Sequence, residues 1–208
     1  LYELIQQTAD HYHFDVGKEK WSDLKKTGMT SGTDAAGGGH AHTGMMIYLG
    51  DNWPAEYRGN VFTLNLHGLR MNQESLHLQG AGYVGKHAAD FMFTSDKWFR
   101  GIELSYAPDG SVYVLDWSDI GECHDNDGIH RTSGRIYRIS YGKTEATKVD
   151  LTEWSNDDLA ESVGSPNEWY SRQARQLIQQ RAAAGQDLTK AALKLMNTYR
   201  FTASTPTA

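Results

Sequence analysis

The residues with the most chemistry in this chain gather around two hairpin-like patterns. In His40-Ala41-His42 two imidazoles stand two apart and so share one face of a strand, a spacing suited to a metal ion or an anion. Pairing the following run with Val61–Leu66 brings them beside His67 and Arg70. In the second pattern Arg100 precedes one strand and Asp116 ends the next. Arginine grips carboxylates through two parallel charge-assisted hydrogen bonds, which makes Arg100 a candidate for holding an acidic ligand. The loop after Asp116 carries Cys123, His124, Asp125, Asp127 and His130, a mixture of soft and hard metal ligands. Asp116, His124 and Asp127 are the loop's candidate cation ligands beside His40 and His42. The loop lacks the C-x-x-C-H spacing of haem attachment. Each group also has a plainer reading: Arg100 as an ion-paired residue at a sheet edge, the imidazoles and loop residues as hydrogen-bonded structural groups.

These side chains need strands to position them. Ile102–Tyr106 and Ser111–Asp116 alternate in polarity around Ala107-Pro108-Asp109-Gly110, where proline presets the first turn angle and glycine accepts a positive φ. The pattern predicts a β-hairpin, and Gly134–Tyr141 returns as a third strand. Upstream, His40–Leu49 reads as a buried strand, and Val61–Leu66 alternates Val61, Thr63 and Asn65 against Phe62, Leu64 and Leu66. A short strand with a turn is expected in Asn72–Gly82 and another at Asp90–Thr94. Several short antiparallel strands with turns between them suggest blades of a β-propeller, with a β-sandwich as the alternative. Leu1–Phe14 suits either helix or strand, and Asp15–Ala36 reads as a long polar loop.

The composition shifts near Asp150. Ser155-Asn156-Asp157-Asp158 has a capping-box pattern, and Ser165-Pro166-Asn167-Glu168 predicts a helix with Ser165 as its N-cap. Tyr170, Ala174, Leu177, Ile178 and Ala182 form one stripe of that helix. Gly185 ends it, and Leu188–Phe201 is a second amphipathic helix. The expected division is therefore blades over 1–149, a helical pair over 150–201 and a polar tail over 202–208. One helical pair and a few blades leave apolar faces and sheet edges uncovered, so remaining blades or partner chains are expected.

Bulk properties narrow the class. With 208 residues and a net charge of −6, wholesale nucleic-acid binding is disfavoured. No apolar run approaches the roughly 20 residues of a membrane helix. The single cysteine excludes an internal disulfide framework. The chain opens on leucine, without a signal-peptide pattern, and reads as a piece of something longer.

Five runs carry a family resemblance: GGGHAHTGMMIYLGDNWPAEYRG (37–59), GYVGKHAADF (82–91), WFRGIELSYAPDGSVYVLDW (98–117), ECHDND (122–127) and GRIYRI (134–139). They resemble the large membrane-bound dehydrogenases of planctomycetes, which join a propeller similar to pyrroloquinoline-quinone (PQQ) sugar and sorbosone dehydrogenases to HEAT-like helical repeats. Residues 150–181 are similar to the propeller-to-repeat junction. The resemblance implies a mainly β chain with a helical C-terminus. It also implies a periplasmic or extracellular location, a PQQ cofactor, a divalent cation such as calcium, and c-type haem on another domain acting as electron acceptor. In the more distant soluble quinoproteins, positions matching His67 and Arg100 contact the quinone's carboxylates, and His40 and His42 join them as candidates. This chain departs from the pattern with histidine where lysine is expected, and the general base of those enzymes lies in an earlier blade. The implied activity is oxidation of a sugar or related alcohol by the full-length protein. The alternative is a non-catalytic propeller-and-repeat scaffold binding carbohydrate or protein.

Overall fold

The computed structural model describes residues 42–66, 68–120, 132–145 and 147–200. The chain is mainly antiparallel β with helices after residue 155. Among the described residues no helix is long and apolar enough to cross a membrane. Two compact units emerge: one gathers the described parts of 1–48, 57–105 and 112–139, the other takes 49–56, 106–111 and the described residues from 140 onward. Two short upstream segments, 49–56 and 106–111, thus group with the helices.

In the first unit, β1 (His42–Ile47), β2 (Val61–Asn65), β3 (Arg70–Gln79) and β4 (Gly82–His87) form consecutive antiparallel neighbours, and β5 (Met92–Phe93) pairs with β3. The alternation in β2 works as expected: Phe62 and Leu64 are fully buried, with Met46 and Met71 beside them. Tyr57, Phe62 and Phe91 add a cluster of edge-to-face rings. The strand in Asn72–Gly82 is longer than expected and turns directly into β4, which the sequence reading did not separate. A two-residue connection at Gly80-Ala81 closes this ribbon, whose outer half is exposed on both faces. Gly44 breaks the β1–β2 register at φ +56°, where a Cβ would lie 2.8 Å from Leu104 Cδ2. Any other residue there would be both strained and obstructed.

The second sheet runs β6 (Gly101–Tyr106), β7 (Val112–Asp116) and β8 (Arg135–Ile139), as the hairpin and returning strand predict. Leu104, Val112 and Val114 are buried. The Thr43 hydroxyl donates to the Gly101 carbonyl at 2.6 Å, tying β1 to the start of β6.

In the second unit, α1 (Asn156–Ser162) carries the expected capping box between Ser155 and Asp158. Helix α2 (Glu168–Ala183) has Asn167, not Ser165, as its N-cap. The Ser165 hydroxyl accepts from the Asn167 amide one step earlier, while the Asn167 side chain accepts from Trp169 N. Asparagine wins because its amide also donates to the Ala107 and Pro108 carbonyls of the hairpin turn, at 3.1 and 3.0 Å. Serine offers only one hydrogen and cannot serve both. Leu151, Leu159 and Ala174 form the core, packed by Trp154, Tyr170, Leu177 and Ile178. Ala182, expected on the buried stripe, is exposed. Helix α3 (Thr189–Arg200) follows, burying Ala191.

Candidate functional site

The hairpin places Arg100 and Asp116 together, as antiparallel geometry requires. The Asp116 Oδ1 accepts from Arg100 N at 2.7 Å and from Ser118 N at 2.9 Å. Its Oδ2 accepts from Arg135 Nε at 2.7 Å, and the side chain is wholly buried. Arg135 lies opposite Asp116 in the β7–β8 register and reaches onward to Asp96 at 2.5 Å. Desolvation works against the Arg135 charge, but the hydrogen bonds to Asp96 and Asp116 hold its guanidinium above its ordinary value. The Asp96 carboxyl is held below the ordinary carboxylate value, first by the Trp98 amide and then by Arg135.

Arg100 is 1 % exposed. Its guanidinium donates to the Lys97, Phe99 and Ile120 carbonyls at 3.0, 2.8 and 3.0 Å. Burial pulls it below the ordinary arginine value, opposed by the carboxylates of Asp119, Asp116 and Asp96. The ladder continues past the strands through Trp117 N to Arg100 O and Asp119 N to Trp98 O. Ser118 sits at φ +58°, a left-handed conformation that its amide bond to Asp116 helps hold.

In the first sheet, His42 lies opposite Asn65 and Asn65 opposite Arg70, so β2 stands between His42 and Arg70. His42 is exposed. Arg70 is paired with Asp90 at 2.6 Å, both side chains about 5 % exposed. His87 stands between Asp90, at 3.5 Å, and Glu74, at 2.8 Å. His40, His67, His124 and Asp127 lie outside the described residues, as do His11, His13 and Cys123. Among the described residues no group of three or more His, Cys, Asp or Glu side chains is placed to hold a metal ion.

A three-carboxylate quinone would need cationic donors of this kind. Arg100 spends its donors on backbone carbonyls and Arg70 faces Asp90. The donors named here meet the protein's own carbonyls and the Asp90 carboxylate. The sequence reading missed Arg135, Asp96, Asp90 and His87. Counting back from the polar loop puts residue 135 opposite 116, so the signal for Arg135 was present.

Residues 5–143 match the family model described as "Domain of unknown function (DUF7133)". No curated protein matches the chain. Among solved structures, a crystal structure of a glucose dehydrogenase is similar at 23 % identity and a TM-score of 0.34. That match covers 50 % of this chain and 24 % of the other, so this chain spans about a quarter of that length.

Proposed function

The chain belongs to the DUF7133 family, and we propose that its β-region is the structural frame of a quinoprotein-type dehydrogenase oxidising a sugar or related alcohol. In this reading the antiparallel sheets are propeller blades and the helices open a HEAT-like repeat. Electrons leave for a c-type haem domain elsewhere, outside the cytoplasm. The observation that supports a framing role is the commitment of Arg100, Asp116 and Arg135 to backbone groups and to one another. They fix both flanks of the 121–131 loop, whose sequence carries Cys123, His124, Asp125, Asp127 and His130. Functional loops need such rigid support, because a misplacement of about 1 Å can cost about a hundredfold in rate. Quinone and cation contacts are proposed for His40, His67, His124 and Asp127 or for other segments, with Arg100 in a supporting role.

The test is quinone reconstitution of the full-length protein, followed by dye reduction across a sugar panel. Arg100→Ala is expected to lower stability by about 2–5 kcal/mol, since three carbonyls lose a buried charged donor. His67→Ala is expected to weaken quinone binding. Absence of dye reduction with every sugar would overturn the dehydrogenase reading.

A second reading, a binding scaffold without catalysis, is favoured by the ribbon of β3 and β4. Leu78 and Tyr83 on that ribbon are 72 % and 68 % exposed. An isolated two-stranded ribbon is marginal in water, so these residues suit a covering partner.

A further inference from the structure

The outer part of the β3–β4 ribbon, residues 77–86, is exposed throughout. Leu78 pairs with Tyr83 and Leu76 with Gly85, and strand alternation puts these positions on one face. That face is apolar around a glycine, and nothing lies within 4 Å of where a Cβ on Gly85 would stand. The phase of the ladder shows where the backbone of β4 points. Ala88 N donates to Gln73 O at 2.9 Å, so 73 and 88 are a bonded pair. Bonded pairs alternate along an antiparallel ladder, which makes 75–86, 77–84 and 79–82 the bonded ones. Tyr83 and Gly85 therefore turn their amides and carbonyls away from β3. Strand β4 ends its sheet, so among the described residues these groups meet no further strand. An open edge of this kind is a template for another chain.

The edge is complementary to itself. A second copy laid antiparallel about a two-fold axis through Val84, normal to the sheet, sets Tyr83 opposite Gly85 of that copy and Gly85 opposite its Tyr83. Both are outward-facing positions, so each amide finds a carbonyl. The axis keeps like faces together, and each tyrosine ring enters the open space over the facing glycine, a favourable cross-strand pairing. Leu76, Gly85 and the second copy's Tyr83 and Leu78 then make one apolar row across the joined sheet. A lysine on an edge strand commonly opposes such pairing. Here Lys86 falls opposite Gly82 of the second copy. The two lysines stand four residues apart along the strands, about 14 Å, which exceeds the screening length of about 8 Å.

We propose that this edge is a dimer contact, in which β4 pairs with β4 of a second copy of this chain, antiparallel about Val84 and with Tyr83 on the facing Gly85. The inference names a partner for the exposed ribbon and stands apart from the redox reading. A chain that supports no dye reduction dimerises all the same, and an active dehydrogenase that stays monomeric leaves its own reading intact.

The test is sedimentation of the 208-residue chain from about 10 μM to about 1 mM, with amide hydrogen exchange at both ends of the range. One strand pair is a small interface, so the expected result is a monomer–dimer equilibrium with a Kd of about 100 μM. The Tyr83 and Gly85 amides should gain protection as the dimer fills. Tyr83→Lys changes a side chain that is already exposed in the monomer, and is expected to weaken dimerisation about tenfold or more. Gly85→Pro is the second variant: it removes an outward amide that the β3–β4 ladder does not use, and the same loss is expected. A dispersed spectrum certifies the fold of each. A chain that stays monomeric at about 1 mM would overturn the proposal. So would a dimer of parental affinity in both folded variants. Tyr83 and Gly85 amides already protected in the dilute monomer would overturn it too, since another segment of the chain would then occupy the edge.

Discussion

Replacing Asp116 by asparagine tests whether the end of the second sheet is a lock. The carboxylate accepts two backbone amides on Oδ1 and the Arg135 guanidinium on Oδ2, with no exposed side-chain surface. Asparagine keeps the shape and one oxygen, so both amide bonds persist as neutral ones. Each then falls from the charged range to the neutral range, a loss of about 1 kcal/mol apiece. On the other side an NH₂ group now faces the Arg135 donors. Arg135 is 34 % exposed and keeps Asp96, so water screens this conflict and about 1 kcal/mol is a fair charge for it. The sum is about 3 kcal/mol, or a melting temperature lower by about 6–12 °C for a chain of this size. Hydrogen exchange should show the loss first at the Arg100 and Ser118 amides. A double-mutant cycle with Arg135→Met should give a coupling of about 1 kcal/mol. A melting temperature within about 2 °C of the parent, with both amides still protected, would refute the lock.

Three further outcomes are expected. Asn167→Ala should cost about 2–4 kcal/mol in a denaturant titration, because it removes the α2 cap, takes the side-chain donor from the Pro108 carbonyl and leaves the Ala107 carbonyl only its bond from Gly110 N; Asn167→Asp should keep the cap yet still destabilise. Gly110→Ala should cost about 2 kcal/mol or more by thermal melt, since φ is +72° and the new Cβ would lie 2.5 Å from both Asn52 N and Asp51 Oδ1. Acid should weaken the fold in a pH-stepped melt: Asp96, Asp150, Asp158 and Asp187 all sit below 3.8 in the folded chain. A depressed carboxyl contributes stability above its unfolded value and loses it as pH falls through the folded one, so the decline should begin near pH 4 and continue below.

The strands of the second sheet were legible because three signals agreed there: alternation, a proline-aspartate-glycine turn and a returning β-branched run. The first sheet was half legible. Its β1–β2 pairing followed from alternation, but β4 was hidden because Gly82–His87 buries almost nothing and so lacks a polar-apolar period. The helical unit's claim on the hairpin turn was invisible in the sequence. Asn167 acts on carbonyls about sixty residues away, and no local pattern records such a bond.

The candidate site shows a sharper limit. Arginine, aspartate and histidine at the end of a hairpin are the residues a bound anion or cation would need. They are also the residues that satisfy amides and carbonyls where a ladder stops. Composition cannot separate these roles, whereas register can. An antiparallel return strand puts a definite residue opposite each position, and opposite Asp116 it puts Arg135. A carboxylate with a guanidinium in its own ladder is neutralised on folding, before any ligand is present. Arg100, whose backbone that carboxylate holds, is drawn inward with it and meets carbonyls in place of solvent.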